Sequence, residues 1–335
     1  MKAFQLHGPG FDNFRLEDCP APTLRPGHAI IRVRAVSLNY RDLAIIKGDM
    51  SLPVQWPVIP GSDFSGEIVE IDDPDGHFQV GDRVSAHYVQ GWRDGPPRAA
   101  YASTNLGLPG PGVFAELIQL PVAGLLAVPD DMPDDAAATF VVAGVSAWNA
   151  VMENGFSIAD KTVLIQGTGG VSLFALQLAQ AAGAHPVVLT SSDAKADLVK
   201  THGAETVINY RQHPDWAQEV MRVTDQHGAE LIVEVVGGDS LQRAIDAVAT
   251  GGTISSCGFL SGMEATIALP RLFFKSATLR GIRVGSRAHH CALLEFYRTH
   301  ALQPIIYRRY AFDDLKEAFR ALERQEHSGK IVAVV

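Results

Sequence analysis

The chain has 335 residues, 19% charged and 47% hydrophobic, with a formal net charge of −9. That length suggests two domains, the composition supplies a full core and excludes a disordered chain, and the acidic balance argues against nucleic acid as a partner, since phosphate binding needs a basic surface. No apolar run reaches the roughly 18 residues that span a bilayer. Met1-Lys-Ala-Phe-Gln-Leu6 lacks the regions of a signal peptide, and Cys19, Cys257 and Cys291 form no disulfide framework, so a cytoplasmic protein without a membrane partner is expected.

Residues 1 to 125 read as mostly β, with alternating runs at Ala29–Val36, Gly66–Ile71, Asp82–Ala86 and Phe114–Leu120 between Gly and Pro clusters. Tyr88 to Gly112, rich in Gly, Pro and polar residues, reads as a long loop of a length that often carries function. Asp134 to Asn154 turns helical, with acids at its start and an interruption at Gly144. From Thr162 strands and helices alternate, which implies a doubly wound parallel sheet with right-handed crossovers. The strands are expected at 163–165, 186–190, 206–209, 231–236, 252–257 and 278–284, and the helices between the first five at 170–182, 193–201, 215–224 and 240–249. Helices at 289–300 and 312–325 and a strand at 331–335 complete the chain.

The first of these βα units carries a dinucleotide fingerprint. Val163-Leu-Ile165 leads into Gly167, Thr168, Gly169, Gly170 and Val171, followed by Leu173, Leu176, Gln177 and Ala179 at helical spacing. Gly167 permits the tight turn, Gly169 allows close approach of a pyrophosphate, and the helix N-terminus offers free N–H groups to it. Ser172 stands at the third glycine position, where a small side chain preserves helix–strand packing.

Seven further stretches join Gln166-Gly-Thr-Gly-Gly-Val171 in a family likeness. They are Asn39-Tyr-Arg-Asp42, Ile59-Pro-Gly-Ser-Asp-Phe-Ser-Gly66, Val80-Gly-Asp-Arg-Val84, Ala143-Gly-Val-Ser-Ala-Trp148, His202-Gly-Ala204, Val207-Ile-Asn-Tyr210 and Gly329-Lys-Ile-Val332. In this order the chain resembles the medium-chain dehydrogenase/reductase superfamily, and most the zinc-free quinone oxidoreductase and enone reductase members. The resemblance implies an α/β architecture: a GroES-like β-rich catalytic domain over 1–125 and 281–335, and a Rossmann doubly wound parallel sheet over 126–280. It also implies an active site in the cleft, and a homodimer formed through Rossmann edge strands.

Zinc-bearing members of that superfamily hold a catalytic ion with a cysteine, a histidine and a further cysteine or acid. Here those positions fall on Asn39, Ser62 and near Thr139, which are poor zinc ligands. Tyr88 to Gly112 has none of the four cysteines of a structural zinc lobe, so no metal is expected. His289 and His290 read as surface residues at a helix start. Without a Lewis acid, a hydrogen-bond donor must stabilise charge on the substrate oxygen. Tyr40 is the candidate donor, Asn39 a second through its amide, and Asp42 a residue that orients the loop. The alternative is that Tyr40 packs in the core and Asn39 caps a turn.

Among the cofactor contacts, the second Rossmann strand ends in Thr190-Ser191-Ser192, where an NAD-preferring chain carries an acid. The small hydroxyls leave room for a 2′-phosphate, and the resemblance matches Lys195 and Tyr210 to residues that touch it. NADP(H) is therefore the expected cofactor. Against this, Asp193 either caps its helix, with Lys195 solvated, or turns to the ribose and favours NAD. Ser146, Gly237, Gly258, Phe259, Leu260, Val284 and Ser286 are the remaining matched contacts, and Lys330 is matched to the cofactor's vicinity. Tyr40, Met50, Trp56, Trp92, Phe140, Phe273 and Phe274 are candidate pocket walls, and the Tyr88–Gly112 loop a candidate lid. The expected reaction is NADPH-dependent hydride transfer to a small α,β-unsaturated carbonyl or quinone. An alcohol dehydrogenase acting at C–O with NAD(P), and a nucleotide-binding relative without turnover, are the alternatives.

Overall fold

The computed structural model describes residues 1–50 and 54–335. The chain divides into two compact units, one of residues 1–143, 286–296 and 306–335, the other of residues 144–285 and 297–305.

The first unit opens with a hairpin of β1 (Lys2–Leu6) and β2 (Phe14–Asp18). Then come β3 (His28–Ser37), α1 (Tyr40–Lys47), β4 (Asp63–Ile71), β5 (Arg83–Ala86), β6 (Leu117–Pro121), β7 (Leu125–Ala127) and the short α2 (Asp134–Ala137). In β3, Ile31, Val33 and Ala35 are buried while Arg32 and Arg34 face solvent, the period of two expected of a strand with one covered face. The helical stretch expected over Asp134–Asn154 is interrupted at Gly144 as its sequence indicates: a π-helical turn at Phe140–Gly144 separates α2 from α3 (Val145–Met152).

The second unit continues with β8 (Thr162–Gln166), α4 (Gly170–Ala181), β9 (His185–Thr190), α5 (Asp193–Thr201), β10 (Thr206–Asn209) and α6 (Trp216–Val223). β11 (Ala229–Glu234), α7 (Ser240–Ala247), β12 (Val248–Ser256), α8 (Leu269–Phe274) and β13 (Thr278–Gly281) follow. The sheet order is β10-β9-β8-β11-β12-β13, every pairing parallel. Val163, Leu164 and Ile165 are fully buried, as a strand covered on both faces requires. The order reverses between β8 and β11, and in such sheets ligands bind beyond the strand C-termini at that reversal.

The chain ends with α9 (Arg287–Thr299), β14 (Ile306–Ala311), α10 (Leu315–Glu323) and β15 (Lys330–Val334). β14 and β15 complete the first unit's sheet in the order β14-β15-β3-β4-β5-β7, with β6 also on β3. The antiparallel register sets Val332 opposite Ser37 and Ser37 opposite Asp63. One end of three adjacent strands therefore gathers Lys330, Asn39 and Asp63.

The 88–112 segment is a loop with one 3-10 stretch, Ala99–Thr104, and it is anchored rather than free. Tyr88, Trp92, Leu106 and Leu108 are buried, and Trp92 and Arg93 accept backbone N–H bonds from Arg287 and Ala288 at 2.9 and 3.0 Å. A lid hinged across this whole segment does not fit those anchors.

Candidate functional site

In the second unit Gly167 takes a φ of 75°, in the left-handed region that favours glycine. A Cβ on Gly169 would meet nothing within 4 Å, so the face of the turn before α4 is open to a ligand. The Ser172 hydroxyl donates to the carbonyl of Gln166 at 2.7 Å, so a serine ties helix to strand where the fingerprint has glycine. Thr168 is buried, and Gly170 and Val171 form the first turn of α4. These residues fit the diphosphate of a nicotinamide dinucleotide.

Beyond β9 the Ser192 hydroxyl, not Asp193, caps α5, accepting the Lys195 N–H at 3.4 Å. Asp193 is engaged elsewhere, accepting from the Asn209 amide at 3.0 Å and from Gln212 at 3.4 Å. The expected alternative in which Asp193 caps α5 is replaced by a Ser192 cap, and the Asp193 carboxylate is turned to the end of β10. Thr190 is buried, Ser191 and Lys195 are half-buried, and the Tyr210 N–H donates to the Thr190 carbonyl at 3.0 Å. Burial holds the Lys195 ammonium below its ordinary value, and the Arg211 guanidinium lowers it further. Arg211, which the sequence reading passes over, thus adds a second cation; its signal was its place next to Tyr210.

At the ends of β11 and β12 two backbones approach closely. A Cβ on Gly237 would lie 2.6 Å from the Gly262 carbonyl, and one on Gly258 would lie 2.0 Å from that of Val235. Glu234, which the sequence reading missed, shapes this turn. Its buried carboxylate accepts from the N–H groups of Val236 and Gly237 and from Ser256, and burial raises its pKa. Phe259 is half-buried and Leu260 exposed in the turn after β12. Ser146 is buried in the first turn of α3, and the Val284 carbonyl accepts from the Asn149 amide at 2.8 Å. Ser286 lies in the first unit, where its hydroxyl accepts the His289 N–H at 3.2 Å at the start of α9.

The first unit holds a buried polar network. The Lys330 ammonium donates to the Leu38 carbonyl and to Asn39 Oδ1, both at 2.7 Å. The Asn39 amide donates to Ser62 Oγ at 3.5 Å, and Ser62 donates to Asp63 Oδ1 at 2.9 Å. Asp63 Oδ2 lies 3.7 Å from Lys330 Nζ and accepts the Val142 N–H at 3.3 Å. Burial lowers the Lys330 pKa while Asp63 and Asp42 oppose the shift; burial raises Asp63 while Lys330 opposes it. Asp42 accepts the Asn39 N–H at 3.2 Å, and burial pushes its carboxyl up to about 7 against the nearby Arg41. Tyr40, half-buried, opens α1 directly after this network. Lys330 therefore belongs to the buried interior of the first unit.

The donor set here does not fit zinc. Asn39 offers an amide and Ser62 a hydroxyl, where zinc takes thiolate, imidazole or carboxylate, and an ammonium already sits against Asn39 and Asp63. Among the described residues, the one group of three suitable side chains within reach of one another is Asp73, Asp75 and His77, on the turn between β4 and β5.

Other expected positions resolve differently. His290 is buried, not a surface residue, with its ring centroid 6.3 Å from that of buried His87. His289 is half-buried and packs edge-on against Trp92. Trp92 and Phe140 are core residues, Met50 is half-buried, Trp56 is partly exposed, and Phe273 and Phe274 are exposed on α8.

A family profile described as Zinc-binding dehydrogenase matches residues 170–298, and one described as Alcohol dehydrogenase GroES-like domain matches residues 25–130. A zinc-type alcohol dehydrogenase-like protein of Schizosaccharomyces pombe is 36% identical over 96% of this chain and 95% of its own length. A crystal structure of a candidate alcohol dehydrogenase from Sinorhizobium meliloti 1021 superposes with a TM-score of 0.92 at 35% identity, covering 100% of this chain and 98% of that one. The structure of an NAD-dependent alcohol dehydrogenase matches with a TM-score of 0.89 at 27% identity over 100% of both chains.

Proposed function

The chain belongs to the medium-chain dehydrogenase/reductase superfamily, and from that membership we propose a zinc-independent, NADP(H)-dependent oxidoreductase that passes hydride to a small enone or quinone. The observation that carries the cofactor choice is the end of β9. Ser191, Ser192, Lys195, Tyr210 and Arg211 gather hydroxyls and positive charge there, while Asp193 is spent on Asn209. A 2′-phosphate suits such a cluster, since charge-assisted hydrogen bonds to phosphate are the strong ones. The zinc independence rests on the amide, hydroxyl and ammonium at Asn39, Ser62 and Lys330.

The second unit holds the nucleotide, with Gly167 to Val171 at the diphosphate and the ends of β11 and β12 bordering the same strand termini. When bound, the nicotinamide supplies or accepts the hydride. Tyr40, at the first position of α1, hydrogen-bonds the oxygen on which charge develops. The Asn39 amide is engaged with Ser62 and Lys330, so Tyr40 carries this role and Asp42 holds the turn.

A second reading, oxidation of an alcohol at C–O with NAD(P), is favoured by the alcohol dehydrogenase names of the similar proteins. A panel of enones, quinones and alcohols, assayed with NADPH, NADP⁺ or NAD⁺ before and after chelation, separates the two. Consumption of NADPH with an enone or quinone supports the first, and chelator-sensitive reduction of NADP⁺ or NAD⁺ by an alcohol supports the second.

A patch on the second unit supports a homodimer. β13 is an edge strand, and Leu279 on it, with Leu269, Phe273 and Phe274 on α8, is exposed. A homodimer through this edge covers the apolar side chains. Among the described residues no helix is long and apolar enough to cross a membrane, and a cytoplasmic location accords with the three free cysteines.

A further inference from the structure

The network in the first unit closes on itself. Lys330 donates to Asn39, Asn39 to Ser62 and Ser62 to Asp63, and Asp63 faces Lys330 again. All four residues are buried. A closed ring fixes direction as well as position. An asparagine amide is close to symmetric in shape, so its carbonyl and amino ends exchange with a 180° flip unless neighbours distinguish them. Here they do: an ammonium, which only donates, faces Oδ1, so Nδ2 must face Ser62. The Ser62 hydroxyl, receiving that N–H, is left to give its proton to Asp63. Each bond polarises the next, and the low local dielectric strengthens the whole.

We propose that Lys330 is a positioning residue. Through the ring it fixes the Asn39 amide, and through the Asn39–Asp42 turn it fixes the start of α1 that presents Tyr40. The connection is short. Asn39 is the residue before α1, its N–H is held by Asp42 within the first turn, and Tyr40 is its neighbour in sequence. A lysine 291 residues away thereby sets the entry angle of the helix. The consequence for turnover rests on the function proposed above; the consequence for Asn39 does not.

The test uses the full chain with asparagine side chains labelled with nitrogen-15, and compares wild type with Lys330→Met, Lys330→Arg and Ser62→Ala. Three quantities are read: exchange of the Asn39 side-chain amide protons, kcat with NADPH and the best substrate of the panel, and NADPH Kd. Lys330→Met is expected to speed Asn39 amide exchange at least about 10-fold, since an amide whose oxygen has lost its fixed partner flips and opens more freely. It should also lower kcat on the order of 100-fold, as about 1 Å of misplacement does, with the NADPH Kd unchanged. Lys330→Arg keeps a cation opposite Asn39, so it should retain slow exchange and recover much of kcat, and its activity should persist to higher pH because guanidinium stays charged. Slow exchange and unchanged kcat in Lys330→Met would overturn the proposal. If Lys330→Met does not fold, Ser62→Ala opens the ring without stranding a charge: faster Asn39 exchange and lower kcat support the proposal, and wild-type values of both overturn it. If wild type turns over no substrate in the panel, the functional reading falls, and the exchange rates alone decide the ring.

Discussion

The ammonium of Lys330 lies 2.7 Å from Oδ1 of Asn39 and 3.7 Å from a carboxylate oxygen of Asp63, with all three residues buried. Removing the cation leaves Asp63 as an uncompensated buried charge. Lys330→Met is therefore expected to destabilise the chain by about 3–5 kcal/mol, as breaking buried ion pairs does, and Lys330→Met with Asp63→Asn by less than the single change. Urea unfolding at pH 7 checks both, and a double variant less stable than Lys330→Met would refute the pairing.

The cation cluster beyond β9 predicts a selective loss of affinity. Lys195→Ala and Arg211→Ala should each weaken NADPH binding by roughly 10-fold, the scale of one charge-assisted contact of about 1.4 kcal/mol, and leave NADH binding unchanged. Fluorescence titration of each variant with both nucleotides reads this directly. Equal losses for both nucleotides would mean that these residues support the fold of β9 and β10 rather than the 2′-phosphate.

The buried imidazoles predict acid sensitivity. Burial, with His290 and Arg287 as further causes, holds His87 down to about 2, and burial with Arg287 holds His290 down to about 3. Unfolded, both titrate near 6.5, so below that pH the unfolded chain binds protons that the folded chain does not. Their contribution to stability is full above pH 6.5 and is lost as pH falls toward 3, with a slope of up to about 1.4 kcal/mol per pH unit for each ring. His290→Gln should flatten the dependence of the urea midpoint between pH 6.5 and 5. An unchanged slope would show that other groups set it.

The exposed apolar edge predicts the state of assembly. Phe274, 79% exposed on α8, is buried in the proposed homodimer. Phe274→Glu places charge in that interface and should yield a monomer by light scattering where wild type gives twice the chain mass. A wild-type monomer would remove the homodimer from the account.

How much of this was legible in the sequence follows from how local each feature is. The βα units announced themselves because strand, glycine turn and helix are contiguous, and β8, β9, β10, α4 and α5 begin and end within a residue or two of the expected positions. Helix α1 carried a readable signal that the reading left unused. Asn39 and Asp42 stand at its start, and Gly48, at a φ of 84°, closes it. The burial of His290 depends on which face meets the rest of the unit, and the 289–300 pattern does not state this. The Lys330–Asn39 contact was least legible of all. It exists because β15 pairs with β3, and no local pattern reports a pairing between the two ends of a chain.

The central claim, a dinucleotide site tuned to a 2′-phosphate, is tested most directly by titrating the purified wild-type protein with NADPH and with NADH while following nicotinamide fluorescence. The account predicts saturable NADPH binding at least about 10-fold tighter than NADH, the step expected of one well-made phosphate contact. NADH binding as tight as or tighter than NADPH, or no binding of either, would contradict it.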